Sequence, residues 1–455
     1  MSAQWQDEAM PIKPGMALIN GSGWDRVFCG ASPMTRDEFI GRVVALAARL
    51  PDASHAINLC ERRDHFIVGF CAALLRGQVT LLPPSRAAGI VDDVAKRHPG
   101  SYRLGDALST LPCDILVDDV APDDRRSAIS PNIDLRIPED RLAMIGFTSG
   151  STGAPSANPK KWGALVHTNT ANLHALADLF EGQAASIVAT VPPQHMYGME
   201  MSVLMPLLGP FSVHAGRPFF PHDIASALSE TSGPRLLVTT PVHLRALVES
   251  DIELPALRAI VTATAPLSAD LATRAESRFG CEVRELFGST ETCVIAQRRT
   301  SQEATWHLFE DVRLHPQPEG TRVERPSLAS PLLLADLVDL VDEGRSFLLR
   351  GRQADLLEIA GKRASLGDLT RRLLAVDGVR DAVMLQAEPD SAGVRRLLAI
   401  VVAEDALTDA QLIAALRQGT DPVFLPRRII RAHALPRNET GKLPRSALDA
   451  LIASR

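Results

Sequence analysis

The sequence predicts an α/β protein: a large N-terminal α/β domain with mostly parallel sheets over residues 1–353, and a small α+β domain over 354–455. Three observations predict it. Short apolar runs of strand length alternate with longer segments of helical periodicity, the pattern of a parallel sheet covered by helices. A chain of 455 residues is longer than one hydrophobic core usually serves. After the polar stretch Arg350-Gly351-Arg352-Gln353-Ala354-Asp355, the apolar pattern restarts as helix, strand, strand, helix.

The elements follow in chain order. Thr35-Arg36-Asp37-Glu38 reads as a capping box, and Phe39, Val43, Leu46, Ala47 and Leu50 recur at helical spacing behind it. Asp64 is placed to cap a second helix running to Leu75 and closed by Gly77. Val79–Leu82 and Ile115–Val117 read as strands, and residues 1–140 as scaffold. Ala143–Phe147 is an apolar strand leading into Thr148-Ser149-Gly150-Ser151-Thr152-Gly153. Glycine allows close backbone approach, successive N–H groups form an anion nest, and hydroxyls supply rotating donors. Such a loop suits nucleotide phosphates, although a bare six-residue stretch fits a flexible surface loop equally well. The following segment, Ala154 to Lys161, reads as a mobile surface stretch from which Lys160 or Lys161 can reach outer phosphates. Trp162 to Leu179 is expected to be helical.

Ile187–Val191 is a strand running into Pro192-Pro193-Gln194-His195-Met196-Tyr197-Gly198. Strand ends in α/β sheets are where ligands bind, which draws attention to His195 and Tyr197, although a lone histidine is more often structural. Leu236–Thr240 and Ala259–Thr264 are further strands. Pro241 opens one helix, and Ser268 caps another that runs to Gly280. Val283–Phe287 ends at Gly288-Ser289-Thr290-Glu291, a second strand-to-polar-loop junction. There Glu291 suits Mg²⁺, a hard cation that prefers oxygen ligands, or is a solvated loop charge, and Phe287 can face a purine or pack in the core. Residues 302–331 are irregular. In Leu332–Leu340 the charge of Asp336 inside an apolar run needs ribose hydroxyls or a buried arginine to satisfy it. The C-terminal part reads as helix Leu366–Val376, strands Ala382–Gln386 and Leu397–Ala403, helix Asp409–Gln418, and a Pro/Gly-bounded loop, Leu435–Arg445, presenting Lys442.

Composition excludes several classes. At 45% hydrophobic and 22% charged, the chain has the balance of an ordinary globular protein. A net charge of −6 gives no footprint for nucleic acid. The six cysteines are scattered without a CxxC pair, so reduced core thiols and a cytoplasmic location are expected. Met1 to Pro11 has no signal-peptide pattern, and the longest apolar run, Phe66–Leu75, is far short of the roughly 20 residues a membrane span needs.

Taken together, these stretches resemble the adenylate-forming superfamily of acyl- and aryl-CoA synthetases, adenylation domains and luciferases. Phe147–Pro155 looks like its phosphate loop, Leu286–Glu291 its aromatic-Gly-x-Thr-Glu motif, and Asp336 with Gly351-Arg352 its ribose-contacting pair. Gly361-Lys362-Arg363 is similar to its Gly-x-Arg turn and Leu435–Arg445 to its lysine loop. The resemblance implies that Thr148, Ser149, Gly150, Ser151, Thr152, Gly153 and Thr290 contact the phosphates of ATP, that Glu291 holds Mg²⁺, and that Phe287, Asp336, Arg352, Thr264 and Ala265 surround adenine and ribose. It implies an acid pocket at His195, Tyr197, Ala263 and Gly288, catalytic roles for Lys442 and His195, and a mobile C-terminal lid hinged at Ala354-Asp355. Three departures stand out. Ser156–Pro159 displace the usual lysine, Ala354 occupies the hinge position, and Arg325–Pro331 replaces a glycine-rich loop. The implied reaction is ATP-dependent activation of a carboxylic acid and transfer to CoA or the phosphopantetheine of an acyl carrier protein. The compact length resembles the hydroxybenzoate ligases of aryl-polyene and xanthomonadin-type pigment pathways. The alternatives are a medium- or long-chain fatty acyl ligase and a non-catalytic nucleotide- or carrier-binding relative.

Overall fold

A computed structural model describes residues 15–23, 25–119, 135–148, 156–352, 355–359, 362–387, 395–438, 441 and 443–454. Ser149 to Gly153, Ala354, Gly361 and Lys442 lie outside the described residues. The chain forms two compact units, one of Met1–Thr170 with Val203–Ala215 and the other of Ala171–Ser202 with Gly216–Arg455. The 353/354 boundary expected from the sequence falls inside the second unit.

The first unit contains a sheet in the order Ser156–Lys161, Leu142–Thr148, Val79–Leu82, His55–Asn58, Tyr102–Gly105, Ile115–Leu116. Its inner pairings are parallel and its Leu142–Thr148/Ser156–Lys161 edge is antiparallel. The Thr35–Glu38 capping box is present at the start of the Arg36–Arg49 helix, which buries Phe39, Val43, Leu46 and Ala47 as the periodicity requires. Two expectations are corrected. The helix capped in the sequence reading by Asp64 starts at Arg63, and Asp64 lies inside its first turn, bonded to Arg62. Ala154 to Lys161 is not a mobile surface stretch over its described part, because Ser156–Lys161 is a strand with Ser156 opposite Thr148 and Lys160 opposite Met144. Asn158 and Pro159 are tolerated there because this is an edge strand.

The second unit is built on strands in the order Asp336–Val341, Ser346–Arg352, Trp306–Leu308, Cys293–Arg298, Glu282–Ser289, Ala259–Thr262, Arg235–Thr239, Ala185–Ala189. The last four run parallel, and the pairings from Glu282–Ser289 outward to Asp336–Val341 are antiparallel. Helices Pro221–Ser229, Pro241–Glu249 and Ala269–Phe279 cover the parallel part, burying Ile224, Leu228, Leu244, Leu247, Leu271 and Ala275 against Val188, Leu237, Ile260 and Val283. The strand expected at Ile187–Val191 occupies Ala185–Ala189. Leu332–Leu340 is two strands in different sheets, Leu332–Leu334 and Asp336–Val341, so Asp336 opens a strand rather than interrupting one. The irregular stretch 302–331 contains three strands, Trp306–Leu308, Arg313–Gln317 and Gly320–Glu324.

The C-terminal part of this unit is a separate three-stranded sheet, Val379–Gln386, Leu397–Ala403 and Arg428–Arg431. Its central strand is apolar throughout because both faces are covered. Leu397, Ala399 and Val401 enter one core with the helices Leu366–Leu374 and Asp409–Gly419. Leu398, Ile400 and Val402 enter another with Leu435 and Leu448. Among the described residues no helix is long and apolar enough to cross a membrane, and all six cysteines are free thiols.

Candidate active site

Because four neighbouring strands of the second unit run parallel, their C-terminal ends share one edge of the sheet. Several of the sequence-predicted residues lie there. Ala185–Ala189 leads to His195, which precedes the short helix Met196–Met199. Arg235–Thr239 ends at Thr240. Ala259–Thr262 is followed by Ala263, Thr264 and Ala265, and Glu282–Ser289 by Thr290 and Glu291. Thr264 has φ +81°, costly for a β-branched residue and the kind of strain found at ligand sites.

Thr290, Glu291 and Thr292 form a three-residue hairpin loop between Ser289 and Cys293, which pair across it. Cys293 takes the left-handed conformation (φ +63°) that closes such loops. The Ser289 amide donates to the Thr292 hydroxyl and the Thr292 amide to the Ser289 hydroxyl, at 3.2 and 3.1 Å. Gly288 is obligatory, since a Cβ there would lie 2.2 Å from the Cys293 carbonyl oxygen. Two buried groups that sequence reasoning missed hold the far side of this hairpin. The Val294 amide donates to both carboxylate oxygens of Glu200, at 3.1 and 3.2 Å, and Asn172 Nδ2 donates to Glu200 Oε1. The Arg325 side chain, with 0% exposure, donates through Nη1 to the Thr292 and Val294 carbonyls (3.1 and 2.9 Å) and forks onto Asp311 through Nε and Nη2. Glu200 had a legible signal, a single charge in the apolar run from Met196 to Leu208. Arg325 had none.

Phe287 is half-buried, with its ring 5.3 Å from Trp306 and 5.6 Å from Phe347. The Arg298 guanidinium lies over the Trp306 ring, 4.2 Å from its centroid. Asp336 stands directly opposite Arg352 in the antiparallel backbone ladder. Tyr197 is buried, and its hydroxyl donates to the Val261 carbonyl at 2.9 Å. Burial pushes that phenol well above its usual range, so its polar atom serves the strand rather than an open pocket. In the first unit, Thr148 ends its strand with its hydroxyl 2.6 Å from that of Ser156. Lys160 is buried and Lys161 exposed four and five residues along the strand from Ser156, a distance of about 13 Å or more from the turn.

Gly441 meets the same sheet edge. A methyl group there would lie 3.4 Å from Val242 Cγ2, 3.8 Å from Thr240 Oγ1 and 3.9 Å from Ala265 Cβ. His243 also belongs to the edge and was missed. Its Nδ1 lies 2.9 Å from the Thr240 hydroxyl and 3.3 Å from that of Thr190, which in turn is 3.1 Å from the Thr239 hydroxyl.

A family model of AMP-binding enzymes matches residues 59–345. The chain is 28% identical over 311 residues to a 4-coumarate–CoA ligase of Halorhodospira halophila, an alignment spanning 65% of this chain and 73% of that protein. It is 24% identical over 484 residues to tyrocidine synthase 3 of Brevibacillus parabrevis, spanning 93% of this chain but only 7% of that much longer protein. The crystal structure of ATP-bound MatB from Rhodopseudomonas palustris superimposes with a TM-score of 0.74 at 19% identity, covering 94% of this chain and 96% of that one, which shows a common fold.

Burial, and after it the charge of Arg217, hold the His243 imidazole down at about 4, from an ordinary 6.5. Between those values the unfolded chain binds a proton that the folded chain does not, so stability is full above 6.5 and falls as pH drops toward 4. The shift corresponds to about 3 kcal/mol. Urea titrations across pH 4–7 are expected to show a shallower acid decline for His243→Gln than for the unsubstituted protein; parallel declines contradict this.

Proposed function

Because the chain belongs to the AMP-binding enzyme family, the adenylate-forming superfamily, we propose that it is an AMP-forming acid–thiol ligase. In the first half-reaction a carboxylate oxygen attacks the α-phosphorus of ATP, the bond to the β-phosphate oxygen breaks, and pyrophosphate leaves. In the second, a thiol sulfur attacks the acyl carbon and AMP leaves. The observation that carries this reading is the convergence on one sheet edge of Thr264, the Thr290–Glu291 turn and Gly441, the residue before Lys442.

Each group has a part in this reading. Thr148 to Gly153 and Thr290 bind phosphate oxygens through hydroxyls and backbone amides. Phe287 and the Thr264-Ala265 backbone line the adenine, and Asp336 and Arg352 hold the ribose hydroxyls. His195, Ala263 and Gly288 border the acid, and Lys442 bridges the acid's carboxylate and the α-phosphate. Two anions must approach each other, so a positioned cation lowers the barrier where charge develops. Among the described residues no group of three or more His, Cys, Asp or Glu could hold a metal alone. This fits Mg²⁺, which takes one or two protein carboxylates and completes its shell with phosphates and water. Glu291 on its turn is the residue that would hold it, and the ion would supply charge neutralisation of the phosphates.

The acid in this proposal is a small aryl acid such as a hydroxybenzoate, and the acceptor is CoA or the phosphopantetheine of a carrier protein, in keeping with a cytoplasmic pigment-type pathway. Residues 354–455 act as the lid, turning about Ala354-Asp355 between half-reactions.

ATP–pyrophosphate exchange across a panel of aryl and alkyl acids tests the reading. Activity is expected with at least one aryl acid, and Lys442→Ala is expected to lower it at least about a hundredfold, the loss typical of removing one charge-stabilising group. Undiminished exchange in that variant would remove the lysine's role. Ala354→Pro is expected to spare exchange and impair thioester formation; equal loss of both would remove the hinge.

A further inference from the structure

We infer that Arg437 and Asp381 are positioning residues for adenylate formation, acting as a clamp that fixes the peptide leading into Lys442. The inference rests on the role proposed above for that lysine.

The loop is anchored at both ends by apolar burial. Leu435 and Leu443 pack with Leu385, Leu398, Ile400 and Leu448. Between them Arg437 holds the backbone. Arg437 Nε and Nη2 fork onto the Asp381 carboxylate at 2.8 and 2.7 Å, and Nη1 donates to the Gly441 carbonyl at 2.7 Å. That carbonyl belongs to the peptide bond shared with Lys442. The Gly441 amide closes a turn onto the Asn438 carbonyl at 2.8 Å, and its φ of +78° admits glycine at little cost. One guanidinium therefore sets the orientation of the Gly441–Lys442 peptide relative to the small sheet.

The other half of the clamp is equally fixed. Asp381 lies at the register shift that opens strand Val379–Gln386, and its Oδ1 also accepts the Ala382 amide at 2.9 Å. The pair is part-buried, 17% and 20% exposed, where a forked charge pair has directional strength that a surface pair lacks. The clamp is also felt on the helix of the sheet edge. Arg245, on Pro241–Glu249, is held below its ordinary value by burial, while the charges of Asp381 and Glu249 oppose that shift and those of Arg437 and Arg274 add to it. The clamp thus sits beside the helix whose first turn carries Val242, the residue Gly441 approaches.

A lysine that bridges two reacting anions is sensitive to displacement, and misplacement by 1 Å is worth about a hundredfold in rate. The test separates the half-reactions. Arg437→Ala and Asp381→Asn are compared with the unsubstituted protein and Lys442→Ala in pyrophosphate exchange. Thioester formation is measured from the preformed adenylate of the acid that exchanges fastest, offered with CoA. Exchange kcat is expected to fall about ten- to a hundredfold in both clamp variants, with KM for ATP little changed and transfer from the adenylate near its original rate. Arg437→Lys keeps a cation for Asp381 but cannot fork between carboxylate and carbonyl. It folds with the least disturbance and is expected to show the same split. Combining Arg437→Ala with Asp381→Asn is expected to cost no more than either alone. Equal loss of both half-reactions would assign the pair to folding and overturn the inference. If Lys442→Ala loses exchange while the clamp variants keep it, the clamp alone is overturned. If Lys442→Ala keeps exchange, the lysine's role falls, and the clamp's with it.

Discussion

A guanidinium with no exposed surface governs the geometry of the candidate site. Arg325 is buried, and an unpaired charge in that position would be strongly destabilising. It is tolerated because all three of its nitrogens donate, to Asp311 on one side and to the Thr292 and Val294 carbonyls on the other. Val294 is held from its other end by Glu200, which accepts its amide. With both polar groups of one residue fixed by buried charges, and Gly288 closed against Cys293, the Thr290–Glu291 turn has little freedom. It stands at the end of a parallel strand, beside the strand that ends at the strained Thr264. The cost of burying two charges thus yields a rigid mount for the Glu291 carboxylate.

Other parts of the molecule are placed by similar means. Sheet register, rather than sequence proximity, sets Asp336 opposite Arg352. One core of the small sheet, taking in Leu435 and Leu443, anchors the loop that precedes Lys442, and Arg437 holds the Gly441 carbonyl. The Thr290–Glu291 turn and Gly441 lie on loops whose backbone is held by polar contacts from Glu200, Arg325 and Arg437. This division of labour suits a reaction that needs positioning and charge more than covalent chemistry from the protein.

Much of this was legible beforehand, for local reasons. The Thr35–Glu38 box, Pro241 opening its helix, Ser268 capping to Gly280 and the apolar strand Leu397–Ala403 depend on residues within a few positions, and all appear as read. The strands between 302 and 331 were not legible, because they are short, partly exposed and in one case interrupted by Pro316. Ser156–Lys161 was misread because its composition is that of a loop; pairing with Leu142–Thr148 overrides it. Arg325, Asp381, His243 and Arg437 were missed as site residues for a further reason. Part of their meaning lies in partners 31 to 56 positions away, such as Val294 for Arg325, Thr190 for His243 and Asp381 for Arg437. Nothing in their own neighbourhoods distinguishes them from solvated charges. Glu200 could have been found by the logic applied to Asp336, a charge alone in an apolar run.

The most direct test of the account is a crystal structure with Mg²⁺ and a non-hydrolysable ATP analogue. The account predicts the metal on Glu291, the triphosphate beside Thr290, the adenine against Phe287 and the ribose between Asp336 and Arg352. A triphosphate bound away from the Thr290–Glu291 turn, with that turn unchanged, would contradict it.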